Sequence, residues 1–278
     1  MSPKRINFMR PNFINHNLLI CQFELKRLFA TRKGWLYLAT YFIVWYFILF
    51  YPIRYAADLL DEHRSSAHAG SFFEFLGFGS LLDWSIPAFG VYWHFSLIFF
   101  PMMSVAIAAD QTCSDRERGT LRFLALRVSR DGLFFGRYIS FMVIQFLLIL
   151  LTLLATLLIV VFRDASLFFE AFNNASSILI NLFLVLLPFT ALMADLSATV
   201  KSARQATVWA ILIWSFLAGI ISALSSYLPV LGQLKILIPG YQLSRLAQLS
   251  EWETLQLAYI PVLQAIILLI IGRWIMQR

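Results

Sequence analysis

Apolar residues in this chain come in long unbroken blocks. Six charge-poor runs stand out, at 34–53, 84–109, 138–162, 175–194, 206–227 and 254–272. A helix rises about 1.5 Å per residue, so about 20 apolar residues cross the ~30 Å hydrocarbon core of a bilayer. The run at 138–162 carries no charge across 25 residues, and the last is the shortest and holds Pro261. The pattern predicts an all-α polytopic membrane protein of six transmembrane helices, forming a single transmembrane domain over 1–278 with an N-terminal segment at 1–33. Pro87, Pro101, Pro188 and Pro261 fall within the runs. Each removes a backbone donor, and a packing kink and a hinge both remain open.

The polar residues between the blocks set an orientation. Seventeen of the 22 Lys and Arg residues precede the first run, lie in 110–137 or 200–205, or follow 272. The segments on the other side hold five. The positive-inside rule places both termini in the cytoplasm, which six spans permit. Trp35 and Trp274 are expected as anchors at the inner interface, Trp84 and Trp252 at the outer one.

Composition agrees, with 60% hydrophobic and 13% charged residues. The net charge of +7 does not indicate nucleic-acid binding, because the basic residues sit between apolar runs. Cys21 and Cys113 form neither a CxxC pair nor a zinc-spaced cluster. Cys113, placed in the basic loop, is expected to react with impermeant thiol reagents from the cytoplasmic face alone. The first run is too long for a cleavable signal peptide and is expected to stay as a signal anchor.

The loop at 54–83 carries Asp58, Asp61, Glu62, His63, His68, Glu74 and Asp83, which fits a solvated loop better than a metal site. The stretch 228–253 is apolar but broken by Gly232, Lys235, Pro239, Gly240 and Arg245. It is expected either to dip into the outer leaflet as short helices or to cap the spans. Asn174-Ala175-Ser176 fits a glycosylation sequon. Asp195, at the inner end of the fourth span, is expected at the interface, since a carboxylate at the bilayer centre costs about 2.5–3.5 kcal/mol.

Two basic-side elements carry more information. Ile14, Leu18, Cys21, Leu25 and Leu28 recur at helical spacing, with Glu24, Lys26, Arg27, Arg32 and Lys33 mostly off the stripe. This predicts an amphipathic helix lying in the membrane interface. In the segment 110–136, Ser114 and Glu117 have the spacing of a capping box that would start a short helix. Asp115 and Glu117 suit its first turn, Arg122 and Arg127 its later part, and Leu121 and Leu124 give it an apolar side. Ser129 and Asp131 offer N-cap oxygens to the third span. A solvated loop obeying the charge rule remains an alternative.

The run SDRERGTLRFLALRVSRDGLFFGRYIS resembles the loop between the second and third spans of type-2 ATP-binding-cassette permeases. The matching residues are Glu117, Arg118, Gly119, Thr120, Leu121, Ser129, Arg130, Gly136 and Arg137, the last standing where the family often has lysine. FELKRLFATRKGW resembles that family's N-terminal helix, and ALMADLSATVKSARQA its turn between the fourth and fifth spans. The resemblance implies a short cytoplasmic coupling helix over 114–127. It would dock on a separate ATPase subunit through Ser114, Asp115, Arg116, Glu117, Arg118, Gly119, Leu121 and Arg122. It also implies a second permease chain, in a homo- or heterodimer, and an exporter in the plasma (inner) membrane, with no catalytic residue here. No G-x-x-x-x-G-K-[ST] and no Gly-Lys dipeptide occur. ATP and magnesium are therefore expected on the partner, with no cofactor and no metal on this chain.

In the fifth span Thr207, Ser215, Ala218, Ser222, Ser225 and Ser226 share one arc of a helix. That face fits either close packing through small residues or the lining of a pathway. His94 is the one histidine at membrane depth, bonded to a neighbouring helix or facing substrate. Two other functions stay open: a scaffold or assembly factor that transports nothing, and a membrane-embedded enzyme. The scattered histidines and the absence of HExxH weigh against the latter.

Overall fold

The computed structural model describes residues 13–54, 84–120, 128–227, 233 and 235–277. The acid-and-histidine loop at 55–83 and Leu121, Arg122, Leu124 and Arg127 lie outside the described residues, as do the side chains of Ile14, Leu18, Ser222, Ser225 and Ser226. Among the described residues there is no strand. The helices are α1 (Phe13–Ala30), α2 (Arg32–Ile48), α3 (Pro87–Ala108), α4 (Cys113–Glu117), α5 (Arg130–Arg163), α6 (Phe168–Thr199), α7 (Ala203–Tyr227), α8 (Leu243–Leu246) and α9 (Tyr259–Gln277). A π turn at Leu49–Ile53 extends α2, and 3-10 turns at Ala165–Leu167 and Glu251–Leu257 precede α6 and α9.

Six helices are long and apolar enough to cross a membrane, which is the number the hydrophobic blocks predict. The first coincides with its block at Gly34–Ile53. Others outgrow theirs. Helix α5 has 34 residues, so it is about 51 Å long and extends well past the hydrocarbon. Its surplus turn at Arg130–Arg137 stands at the basic end, where Ser129 Oγ caps it by accepting from Gly132 N at 3.1 Å.

Helix α6 is the centre of the bundle. It packs most extensively against α9, then α5 and α3, while α7 touches it lightly and lies at the periphery. Pro101 and Pro188 sit inside α3 and α6. Pro87 instead begins α3, and Pro261 falls in the first turn of α9. The ring at those two positions removes no intrahelical bond, so neither interrupts its span.

The segment at 235–257 is packed as a cap over the spans. Gln264 of α9 donates to the carbonyls of Ile236 at 2.5 Å and Ile238 at 3.0 Å. Trp93 Nε1 of α3 donates to Leu246 O at 3.0 Å. Gly240 turns the chain at φ 90°, where a side chain would also press on Phe189 and Trp214. Trp35, Trp252 and Trp274 are exposed, as interfacial anchors require. Trp84 is not: it is buried, with its ring 6.2 Å from that of Trp93. Asn174 is also buried, and its amide donates to Ser85 Oγ at 2.8 Å, so the sequon is closed to a glycan.

Helices α1 and α2 meet at a tight elbow. Thr31 ends one helix and caps the next, its Oγ1 accepting from Gly34 N at 3.1 Å. Gly34 faces backbone: a Cβ there would lie 1.9 Å from Leu28 O and 2.7 Å from Leu28 C. Gly34→Ala is therefore expected to open the elbow at a cost of about 1–3 kcal/mol, read as a lower melting temperature in detergent. Gly219→Ala on α7, where nothing lies within 4 Å, should be neutral or stabilise by up to ~1 kcal/mol.

Candidate functional site: a charged junction at the basic end

The basic end of the bundle gathers α1, α4 and the turn before α4 around one cation on the first turns of α5. Arg137 is 3% exposed. It pairs with Asp115 of α4, donates to Gln111 O at 2.5 Å, and holds Glu24 of α1 with Nε 3.7 Å from Oε1. Glu24, 3% exposed, also takes Arg27 Nε at 3.2 Å. Arg27 in turn donates to Asp110 O at 3.1 Å. Burial holds the Glu24 carboxyl above its usual range, outweighing the pull of Arg27 and Arg137 in the other direction.

Amphipathicity accounts for only part of α1. Cys21, Leu25 and Leu28 are partly buried as the stripe predicts, but Glu24 beside them is the more deeply buried residue. The apolar stripe attaches the helix, and the carboxylate fixes its register on α5.

Helix α4 starts differently from the capping-box expectation. Asp110 Oδ1 accepts from both Ser114 N and Ser114 Oγ. The carboxylate upstream thus takes the hydroxyl that would have capped the helix, and the N-cap residue is Thr112. The helical turn closes at Glu117 and the chain reverses at Gly119, whose φ is 70°.

Of the residues expected to dock a partner, the structure separates two groups. Ser114 and Asp115 face inward. Arg116 reaches across to the end of α6, donating to Ala198 O at 2.5 Å and Thr199 O at 2.9 Å. A cation on those last carbonyls complements the negative end of the helix dipole. Glu117, Arg118, Gly119 and Thr120 are exposed. A second clasp joins α5 to α9: Arg273 Nε lies 3.1 Å from Asp131 Oδ2, and Arg130 donates to Gln277 O at 3.2 Å.

The junction continues into the bundle as a polar thread. Gln111 donates to Thr190 O of α6 at 3.2 Å. Thr190 Oγ1 is 3.0 Å from Ser104 Oγ of α3 and accepts from Gln145 Nε2 of α5 at 3.1 Å. These residues are buried and carried no signal in the apolar pattern; Gln145, inside an otherwise apolar run, was the trace that could have been followed.

A family model described as ABC-2 family transporter protein matches residues 18–272, from within α1 to the last turns of α9. The chain belongs to the ABC-2 transporter family. It is thus the membrane-spanning part of an ABC transporter, a transport component whose family implies an ABC ATPase partner. No curated protein matches the sequence.

Other expected site residues of this ABC-2 protein are dispersed. His94 is buried in α3, and its Nδ1 lies 2.9 Å from Gly90 O of its own helix. Thr207 is partly covered and bonds Ala203 O at 3.2 Å, while Ser215 is exposed and lines a shallow hollow with Lys235 and Tyr241. Asp195, four residues from the end of α6, is buried, and among the described residues neither carboxylate oxygen has a hydrogen-bond partner. Packing against Gly272 and Phe134 encloses it. Cys113 is 1% exposed with Sγ on Ser197 O at 3.4 Å, which closes it to the expected thiol labelling.

Removing Arg137 would leave the partly buried Asp115 without its cation and the buried Glu24 with Arg27 alone. Arg137→Met is expected to destabilise by about 3–5 kcal/mol, and Arg137→Lys to restore only part of this, because an ammonium cannot present the three-way fork. Thermal unfolding in detergent checks both. Between the ordinary carboxyl value of 4.5 and its raised value, folded Glu24 holds protons that the unfolded chain releases. Stability from this group is present below that window and falls as pH rises through it. The melting temperature of the native chain should therefore drop relative to Glu24→Gln as pH is raised from about 4.5.

Proposed function

We propose that this chain is the permease subunit of an exporter, driven from the cytoplasm by a separate ABC ATPase that docks on the exposed segment of the loop at Glu117–Thr120. One observation carries the reading. The segment is outward-facing, yet it is mounted on Asp115 and Arg116, which are tied to α5 and α6. A push on the segment therefore acts on two spans, where a solvated loop would yield. Helix α1, locked to the same Arg137, forms a second rigid surface beside it.

In this reading ATP and magnesium reside on the ATPase, and closure of its subunits shifts the bundle between two access states by differential contacts. The basic asymmetry supports a cytoplasmic position for this end and for both termini, in the plasma (inner) membrane. A second permease chain is supported by α7. Its packed side is Ala206, Ala210 and Ile213, whereas Ser215 falls about 180° from Ala206 at ~100° per residue. Ser215 and Ala218 on that face are exposed, in a shallow hollow beside Lys235 and Tyr241, and a second copy or a homologous chain would complete it around the pathway.

Glu117→Arg, alone and with Arg118→Glu, alters exposed side chains and should leave the melting temperature unchanged. Each is expected to lower co-purification of the ATPase by at least about tenfold, since a wrong charge at an interface costs several kcal/mol. Native-level ATPase binding in both variants would refute the docking assignment. Orientation is tested with a cysteine placed at the exposed Thr120, which should react with an impermeant thiol reagent in inside-out vesicles and not in intact cells.

A further inference from the structure

A cleft of about 380 Å³ opens at the basic end between the α1–α2 elbow and α3, α4 and α5. Its mouth is polar and charged, with Thr31, Arg32, Ser114 and Arg118. Its floor is Tyr37, Ile107, Phe141 and Ile144, which belong to helices long enough to cross the membrane. The cleft therefore runs from the interface to hydrocarbon depth.

The charges around it are not equivalent. The three carboxylates in its wall are already engaged: Glu24 by Arg27 and Arg137, Asp115 by Arg137 and Thr120, and Asp110 by Ser114. Arg27 is held by Glu24 and the Asp110 carbonyl. Arg32 and Arg118 are exposed and hold no side-chain hydrogen bond or ion pair among the described residues. The N-terminus of α2 opens at the same mouth, adding its partial positive charge. The acids are neutralised from within, and two guanidinium groups remain to act on whatever enters.

We infer that this cleft binds an anionic phospholipid from the leaflet at the basic end. The phosphate would lie between Arg32 and Arg118, and the start of an acyl chain would run over Phe141 and Ile144. A guanidinium is the side chain best fitted to a phosphate, as a planar two-pronged donor. An acidic peptide segment would satisfy the arginines but would set polar backbone against the apolar floor, whereas a lipid matches both ends. Such a lipid would wedge the elbow against the loop helix and make the posture of α1 depend on membrane composition.

The full-length chain, purified in detergent and exchanged into equimolar phosphatidylglycerol and phosphatidylcholine, is examined by native mass spectrometry. Retained phosphatidylglycerol is expected to exceed phosphatidylcholine on the order of tenfold. Arg32→Gln with Arg118→Gln should bring the ratio near one, with the melting temperature unchanged. Arg204→Gln, an exposed arginine away from the cleft, should leave the ratio as it was. Equal retention of the two lipids by the native chain would overturn the proposal. So would a preference that survives the double substitution or falls equally in Arg204→Gln. Saturation of the site by inorganic phosphate alone would assign it to a free anion and also overturn it. If the double variant keeps its lipid preference but loses the ATPase, the two arginines belong to the ATPase contact; if it loses the lipid and keeps the ATPase, the docking reading stands apart from this one.

Discussion

The organisation of the basic end depends on one buried cation. A guanidinium withdrawn from water is tolerated only when its charge is balanced and hydrogen-bonded, and Arg137 draws on three separate segments for this. Glu24 comes from α1, Asp115 from α4, and the Gln111 carbonyl from the turn between α3 and α4. None of these segments crosses the membrane at that point, so bilayer insertion alone would leave each of them undetermined. The requirement to satisfy Arg137 supplies what the hydrophobic effect does not, a single register for three surface elements on the first turns of α5.

That register has a consequence deeper in the bundle. Gln111 shares its carbonyl with Arg137 and its amide with Thr190, so the surface junction and the interior of α6 meet at one residue. Thr190 follows Pro188 by two residues, and its carbonyl takes the Gln111 amide while its hydroxyl bonds back to Leu186 O at 3.0 Å. Ser104 and Gln145 then tie α3 and α5 to the same hydroxyl. A displacement of α4 is therefore communicated through bonded groups to the three central helices. Helices α2 and α7 lie outside this thread.

The parts of the molecule set by lipid were legible in the sequence, and the parts set by buried polar groups were not. Six apolar runs gave six helices because the requirement for ~20 apolar residues is local and repeats in every span. Ser129 was readable as a cap because its partner is three residues away. Glu24 looked like a polar-face residue, the enclosure of Asp195 had no local sign, and Trp84 was placed at an interface, because the deciding neighbours lie outside each residue's own turn; Asp110, whose partner Ser114 is four residues away, went unnoticed all the same. Arg137 opposes Glu24, Gly272 and Phe134 enclose Asp195, and Trp93 covers Trp84. The family motif joined inward and outward residues of this loop in one set. A motif reports which residues recur and is silent on whether a side chain faces the bundle or a partner.

The uneven covering of the spans follows from the same physics. Lipid satisfies an apolar helix face without any protein neighbour, so Val208, Trp209, Ile211 and Phe216 of α7 are exposed at no cost in a bilayer. It does not equally satisfy a face of hydroxyls and small side chains, which gains from close backbone approach or from water. Helix α7 buries its alanine stripe and leaves Ser215 and Ala218 exposed on the other side, in a shallow hollow beside Lys235 and Tyr241. Had the small residues served only to pack this chain, the two stripes would coincide. Their separation means the alanine stripe and the small polar face of α7 meet different surroundings, one closely packed and one open.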